Sequence, residues 1–116
     1  MIYIVDIDGT VADLTHRLYF IQGEHKDWDA FYRACGGDTP IPEVIAVLKA
    51  IAAAGPMLVF ATGRSEAVMG STFNWLSENV LVPTALYMRK EEDHRLGKNA
   101  VKETVQSVAL LASTKL

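Results

Sequence analysis

Two short apolar runs constrain the fold of this chain most strongly. The first covers Ile2 to Ile7 and is rich in β-branched residues, and the second covers Met57 to Thr62. Each run leads into a polar turn that contains glycine. Apolar runs without polar alternation are typical of strands that are covered on both faces, as in a parallel sheet. The sequence therefore predicts that both runs are strands of one parallel sheet.

Helical patterns alternate with these strands. The segment Pro42 to Ala54 begins with a proline that suits a first helical turn, and Gly55 follows where a helix would end. A second helix is predicted from Ser65 to about Asn79, a short strand from Thr84 to Met88, and a final helix from near residue 96. The β-α-β-α-β-α order predicts an α/β protein with a doubly wound parallel sheet.

Residues 12–40 interrupt this alternation. The segment is too long for a simple connection, and its aromatic anchors predict one or two short helices. Trp28, Phe31 and Tyr32 lie at i, i+3 and i+4, a spacing that favours a packed helix face over a base-stacking platform. The segment is either an extra packing element or a small cap that faces the substrate, and the sequence favours neither.

Length and composition limit the class of protein. The chain has 116 residues, half of them hydrophobic, which predicts a single domain over residues 1–116. Its net charge of −3 argues against binding nucleic acid by overall charge. Cys35 has no second cysteine to pair with, and no segment resembles a signal peptide or a membrane span. We therefore expect a cytoplasmic protein that does not associate with a membrane.

Two carboxylates stand where the first strand leaves the core. Asp6 and Asp8 are two residues apart on an extended chain, so both side chains point to one side and can reach one ligand. A carboxylate can attack phosphorus while a neighbouring acid protonates the leaving oxygen. Such crowding of negative charge calls for Mg²⁺ at Asp6 and Asp8. Gly9 allows a close turn around the ligand, and Thr10 offers a hydroxyl and an N–H.

The end of the second strand carries the sequence Thr62, Gly63 and Arg64. Ligands of open parallel sheets bind outside the carboxyl ends of the strands, so this turn is expected to face the same crevice as Asp6 and Asp8. Arg64 can grip a phosphate or a carboxylate in a bidentate way.

These two turns resemble the first two motifs of the haloacid dehalogenase superfamily of phosphatases, in "DIDGT" from Asp6 and "FATGR" ending at Arg64. The resemblance implies a three-layer α/β/α fold and a nucleophilic Asp6 that forms an aspartyl-phosphate. It also implies that Asp8 is the general acid and base and that the Thr62 hydroxyl holds a phosphoryl oxygen. Mg²⁺ would be bound by Asp6, by the backbone carbonyl of Asp8 and by a later acid.

The segment from Met88 to Glu103 resembles the 3′-phosphatase domain of phage-type polynucleotide kinases. By this resemblance Lys102 is the lysine that neutralises the phosphoryl group, and Lys98 is the alternative. The pattern is completed by Arg89, Asp93 and Arg95. Residues 89–116 carry six Lys and Arg against four Asp and Glu, which favours anion binding, with Arg95 and Lys98 as further substrate ligands.

The fourth motif of the superfamily, an acid that ends a further strand, has no counterpart here, because no Asp or Glu follows Glu103. We therefore expect the C-terminal strand of the family to be absent and the first strand to lie at an edge of the sheet. A homodimer or another partner is predicted to cover this edge.

The sequence as a whole predicts a Mg²⁺-dependent phosphohydrolase that acts on nucleotide or polynucleotide 3′-phosphate ends. Its partners would be a phosphorylated small molecule or a nucleic-acid end. Two alternatives stay open. One is a weak or inactive relative that binds a phosphorylated ligand or a protein partner, and the other is a nucleoside monophosphate phosphatase.

Overall fold

The computed structural model describes residues 1–90 and shows strands and helices in α/β order within that range. In chain order these elements are β1 Ile2–Val5, β2 Ala12–Asp13, α1 Trp28–Arg33, β3 Thr39–Pro40, α2 Pro42–Ala53, β4 Met57–Ser65, α3 Met69–Asn79 and β5 Leu86–Arg89. Short 3-10 helices cover Thr15–Ile21, Ala34–Gly37 and Glu66–Val68.

The strands β1, β4 and β5 form a parallel sheet in that order. Val5 is the register partner of Phe60, and Phe60 is in turn the partner of Leu86. The two apolar runs of the sequence are thus neighbouring strands, as predicted. β1 ends at Val5, one residue before Asp6, and β5 begins at Leu86, two residues later than the sequence indicated.

Both predicted helices between the strands are present. α2 has Pro42 at its first position and ends before Gly55, whose φ of +111° is a conformation that suits glycine. The second helix begins as predicted at Ser65, whose hydroxyl accepts a hydrogen bond from the Ala67 N–H at 3.2 Å. Its first turn is 3-10, and α3 starts only at Met69.

The core lies where α2 and α3 pack on one face of the sheet. Its buried members include Val5 from β1, Leu48 from α2, Phe60 from β4 and Leu76 from α3. Burial of each such side chain contributes about 1.5–3 kcal/mol to folding. The other face of β4 presents Val59 and Ala61, as the alternation of side chains along a strand requires.

Residues 12–40 form an inserted segment whose two ends pair with each other. β2 and β3 pair antiparallel, with Ala12 opposite Pro40 and Asp13 opposite Thr39. The predicted aromatic helix face is confirmed, because the rings of α1 contact one another. Their centroids are separated by 5.7 Å for Trp28 and Phe31, 5.3 Å for Phe31 and Tyr32, and 6.1 Å for Trp28 and Tyr32.

Within residues 1–90, β1 pairs with β4 on one side and with no strand on the other. This agrees with the predicted edge position, and its side chains Tyr3 and Ile4 are 39% and 37% exposed. The second chain that we expect to cover this edge stays a prediction. The predicted final helix and the C-terminal strand expected to be absent lie outside the described residues. No helix in the described part of the chain is long and apolar enough to cross a membrane.

Candidate active site

The carboxyl ends of β1 and β4 meet at one edge of the sheet, as the sequence predicted. Asp6 follows β1 directly, and Arg64 lies near the end of β4. The guanidinium of Arg64 donates hydrogen bonds to Asp8 from both Nε, at 3.1 Å, and Nη2, at 2.7 Å. These contacts bring the first and second predicted motifs into one site.

Asp6 keeps an open carboxylate. The side chain is exposed, and its Oδ1 accepts a hydrogen bond from the Ile7 N–H at 2.9 Å. Partial desolvation raises the pKa of Asp6, and the negative charge of Asp8 raises it further. The Ile7 N–H and the charge of Arg64 act in the opposite direction without cancelling the effect. Asp6 is therefore accessible to a ligand and lacks full charge compensation.

The turn after Asp6 is built around the buried residue Ile7. The Ile7 carbonyl accepts hydrogen bonds from the N–H groups of Thr10 at 3.1 Å, Val11 at 3.0 Å and Ala12 at 3.1 Å. Gly9 has a φ of +77°, which lets the chain reverse within this turn. Because the Thr10 N–H is used in this way, the Thr10 hydroxyl is the group left to contact a ligand.

Asp8 accepts hydrogen bonds from two arginines on a single oxygen. Its Oδ1 accepts from Arg17 Nη2 at 2.8 Å, in addition to the two bonds from Arg64. Both guanidiniums are fully buried, whereas the Asp8 side chain is 26% exposed. No hydrogen bond to Asp8 Oδ2 comes from the described residues. Asp8 is thus held in place and keeps one oxygen available.

Asp38 lies behind the two arginines and is fully buried. Its carboxylate accepts from Arg17 Nε at 2.8 Å, from Arg17 Nη2 at 2.9 Å and from Arg64 Nη2 at 3.0 Å. His16 Nε2 lies 2.7 Å from the same carboxylate, and the Trp75 indole donates to the Asp38 carbonyl at 2.8 Å. Two arginines and two aspartates therefore form a buried ion cluster with no net charge.

Arg17 is further fixed by the inserted segment itself. Its Nη1 donates to the Phe31 carbonyl at 3.2 Å, and its guanidinium lies 4.3 Å from the centre of the Phe31 ring. Burial alone lowers the pKa of Arg17, but the hydrogen bond to Asp38 and the charges of Asp8 and Asp38 outweigh this and raise it. Arg17 therefore stays charged inside the protein.

An irregularity in β4 turns Arg64 inward. Ala61 pairs with Tyr87, but the next pair is Ser65 with Arg89, so β4 holds two extra residues at this point. Inside this bulge the Thr62 hydroxyl accepts the Arg64 N–H at 3.2 Å. The arrangement directs the Arg64 side chain at Asp8 and Asp38, and its Nη1 donates to Thr72 at 3.1 Å.

Tyr32 and Arg89 lie together near Asp8 and Arg17. Arg89 Nε donates to the Gly63 carbonyl at 3.1 Å, and its guanidinium lies 5.8 Å from the centre of the Tyr32 ring. Burial raises the pKa of Tyr32; the nearby charge of Asp8 raises it further, and the charges of Arg89 and Arg17 lower it. Because Tyr32, Arg17 and Asp38 all belong to residues 12–40, this segment is packed on the sheet and also faces the site.

The structure places all seven residues predicted from the two motifs in the turn after β1 or near the end of β4, namely Asp6, Asp8, Gly9, Thr10, Thr62, Gly63 and Arg64. The buried Arg64 guanidinium is directed at Asp8, Asp38 and Thr72, so it binds carboxylates, one of the two groups predicted for it. Its role as a substrate ligand stays a prediction. Lys98, Lys102 and Arg95 lie outside the described residues.

Arg17 and Asp38 are site residues that the sequence patterns did not predict. Arg17 is flanked by Leu18 and aromatic residues, and a charge within such a run is the one signal that could have found it. Asp38 follows two glycines and precedes Thr39 and Pro40, a pattern typical of a turn, so no sequence signal distinguishes it from an ordinary turn residue.

The candidate metal ligands in the described part are Asp6 and Asp8. No group of three or more His, Cys, Asp or Glu side chains that could hold a metal ion occurs within residues 1–90. The oxygen donors of Asp6 and Asp8 nevertheless fit Mg²⁺, which is commonly bound by one or two carboxylates while it keeps several waters.

A known protein family matches nearly the whole chain. The model of the polynucleotide kinase PNKP phosphatase domain matches residues 1–110. Comparison with curated proteins gives no significant match.

Two solved structures show the same fold. A chain of the Pnkp1/Rnl/Hen1 RNA repair complex has a TM-score of 0.73 at 24% identity and is matched over 91% of this chain. A second structure of the Pnkp1/Rnl/Hen1 complex has a TM-score of 0.68, also at 24% identity, over 90% of this chain. The chain spans 30% and 32% of the length of those two chains. The fold is therefore that of the haloacid dehalogenase superfamily, and the chain belongs to the family of polynucleotide kinase phosphatase domains.

Proposed function

We propose that this chain is a Mg²⁺-dependent phosphohydrolase that acts through an aspartyl-phosphate on nucleotide or polynucleotide 3′-phosphate ends. The observation that carries the proposal is the difference between its two carboxylates. Asp6 is exposed with one backbone donor on it, whereas Asp8 is fixed by three guanidinium hydrogen bonds. A nucleophile needs an open oxygen, and an acid and base needs a fixed position.

In the first step a carboxylate oxygen of Asp6 attacks the phosphorus, and the bond from phosphorus to the leaving oxygen breaks. Asp8 donates a proton to that oxygen, so the substrate leaves as a neutral alcohol. In the second step Asp8 takes a proton from water, and the water oxygen attacks the phosphorus. The bond between phosphorus and Asp6 then breaks, which releases inorganic phosphate and restores both side chains.

Other residues of the site would hold the phosphoryl group. The Thr10 hydroxyl lies in the turn two residues after Asp8, and the Thr62 hydroxyl lies in the β4 bulge two residues before Arg64. Lys102, or Lys98 in its place, would neutralise the phosphoryl charge, with Arg95 as a further ligand. Mg²⁺, held by Asp6 and the Asp8 carbonyl, would supply positive charge that offsets the repulsion between the carboxylates and the phosphate.

The substrate class is supported by the family to which the chain belongs. The matching family model is that of a polynucleotide kinase phosphatase domain, and the similar structures come from RNA repair complexes. The cytoplasmic location and the homodimer stay predictions.

The proposal is tested by measuring phosphate release with Mg²⁺ from an oligonucleotide 3′-phosphate, a nucleoside 3′-monophosphate and p-nitrophenyl phosphate. We expect turnover of all three, fastest on the oligonucleotide end. A preference for the mononucleotide would favour the nucleoside monophosphate phosphatase. Asp6→Asn is expected to abolish release from every substrate, and an unchanged rate in this variant contradicts the mechanism.

A second candidate function is the binding of a phosphorylated ligand without turnover. It is favoured by the metal-ligand set within residues 1–90, where no group of three or more His, Cys, Asp or Glu side chains could hold a metal ion. Calorimetric titration with Mg²⁺ separates the two functions. Mg²⁺ binding together with turnover supports the phosphatase, and the loss of both supports the binding function.

A further inference from the structure

The buried ion cluster joins Asp38 to Asp8 through shared nitrogen atoms. Arg17 Nη2 donates to Asp8 Oδ1 at 2.8 Å and to Asp38 Oδ2 at 2.9 Å. Arg64 Nη2 donates to the same two oxygens, at 2.7 Å and 3.0 Å. Each of these nitrogens carries two N–H groups, so each uses one for either carboxylate.

The hydrogen bonds from the two arginines all reach the same oxygen of Asp8. Both arginines converge on Oδ1, and with the Nε of Arg64 they place three donors on that oxygen. A carboxylate oxygen that accepts three charged N–H groups is a poor site for a proton. A proton on Asp8 therefore belongs on Oδ2, to which no described residue donates.

The geometry points to Asp38 as a positioning residue for Asp8, a role that rests on the function proposed above. Asp38 holds both guanidiniums so that they bind Oδ1 of Asp8, and this leaves Oδ2 to exchange the proton with the leaving group and water. Asp38 acts only through Arg17 and Arg64 and does not touch the substrate itself.

The surroundings of Asp38 fit this role. Its side chain is fully buried, and its backbone carbonyl is fixed by Trp75, so the carboxylate cannot turn toward solvent. Four contacts from His16, Arg17 and Arg64 occupy its two oxygens. Without the charge of Asp38, two buried guanidiniums would face the single charge of Asp8, and only neutral groups, the Phe31 carbonyl and the Thr72 hydroxyl, would oppose their turning to the phosphate.

The test is Asp38→Asn, which keeps the shape of the side chain but replaces one acceptor oxygen by an NH₂ group. The measurement is the release of the leaving group in a single turnover, which isolates the step in which Asp8 donates its proton. An oligonucleotide 3′-phosphate releases an alcohol, which needs that proton. p-Nitrophenyl phosphate releases a stable phenolate, which needs it much less.

We expect Asp38→Asn to slow alcohol release about 100-fold, the lower end of what general acid catalysis supplies, and phenolate release by less than about threefold. The matched control is Asp29→Asn, an exposed aspartate at the start of α1, which should leave both rates unchanged. Equal losses on the two substrates would assign Asp38 a merely structural role and overturn the inference.

A double-mutant cycle adds an independent readout. Asp38→Asn should have little further effect on alcohol release in an Asp8→Asn background, because both changes remove the same proton transfer. Additive losses contradict the inference. If Asp38→Asn does not fold, Arg17→Lys replaces it, since a lysine keeps the charge but cannot bridge both carboxylates as a guanidinium does.

Failure of the proposed function is distinguishable from failure of this inference. If the unmodified chain releases no leaving group from either substrate, the phosphatase function is contradicted, and the role of Asp38 falls with it. If the unmodified chain turns over both and Asp38→Asn slows them equally, only the inference fails.

Discussion

Asp6 and Asp8 are two residues apart and lie in opposite electrostatic surroundings. Asp8 Oδ1 accepts hydrogen bonds from both Arg17 and Arg64, at 2.7–3.1 Å. Asp6 accepts one backbone hydrogen bond, and its pKa is raised by desolvation and by the charge of Asp8. The proposed roles of Asp6 as nucleophile and Asp8 as acid follow from this difference. Replacing the two residues by asparagine is also expected to change the free energy of unfolding in opposite directions.

Asp6→Asn is expected to stabilise the protein at pH 7 while it removes activity. Because the folded chain holds the Asp6 proton more strongly than the unfolded chain, stability falls as pH rises from the usual pKa of an aspartate through the raised value. The stability of the variant does not fall in this way, because its asparagine does not ionise. The asparagine also keeps an oxygen that can accept the Ile7 N–H. Urea unfolding in metal-free buffer should show a more stable variant at pH 7, with no difference near pH about 3. A variant less stable than the unmodified chain at pH 7 contradicts this account.

Asp8→Asn is expected to destabilise the protein. It leaves the buried guanidiniums of Arg17 and Arg64 opposite the single carboxylate of Asp38. Removing one partner of a fully buried ion pair costs about 3–5 kcal/mol, and the partial exposure of Asp8 makes the loss smaller. The free energy of unfolding measures the effect, with Asp6→Asn as the comparison two residues away. Equal stability changes in the two variants would show that the arginines do not distinguish the two carboxylates.

Thr72→Val tests the support of Arg64. The Thr72 hydroxyl accepts Arg64 Nη1 at 3.1 Å, and both side chains are fully buried. Valine has the same shape but leaves this N–H without its acceptor, which costs about 1–3 kcal/mol. The free energy of unfolding should fall by that amount. Ser71→Ala, at an exposed position of the same helix, should change it by less than about 0.5 kcal/mol, and similar changes in both variants argue against the contact.

Gly9→Ala tests the turn that carries Asp8. Gly9 has a φ of +77°, so alanine there is expected to cost about 1–2 kcal/mol although its Cβ would meet no atom within 4 Å. Gly70→Ala is the matched control, because Gly70 lies in α3 and its Cβ would also meet no atom within 4 Å. That change should stabilise the protein by about 0.4–1 kcal/mol. In thermal unfolding, the midpoint should fall for Gly9→Ala and rise for Gly70→Ala. A lower midpoint in both variants would contradict the view that the backbone conformation of Gly9 causes the effect.

The sequence predicted the sheet and the two motif turns because these depend on local patterns. The apolar runs that contain Val5 and Phe60 mark buried strands, and strand ends in a parallel sheet must meet at one edge. Asp6, Asp8 and Thr62 could therefore be assigned to one site from the sequence alone.

The buried ion cluster was not predictable in the same way. Asp38 reaches Arg64 only because the inserted segment folds back through β2 and β3, and this pairing involves two residues in each strand. The inward direction of Arg64 depends on the bulge in β4, which follows from its pairing with β5 and not from a periodic pattern. Contacts set by irregular backbone leave no signal in hydrophobic spacing.

Rapid acid quenching with a ³²P-labelled oligonucleotide 3′-phosphate and Mg²⁺ tests the central claim most directly. The unmodified chain should carry label during turnover, at Asp6, in a form that hydroxylamine removes, as expected of an acyl phosphate. Asp6→Asn should carry none and release no phosphate. Phosphate release by Asp6→Asn at the rate of the unmodified chain, or label on another residue, would contradict the account.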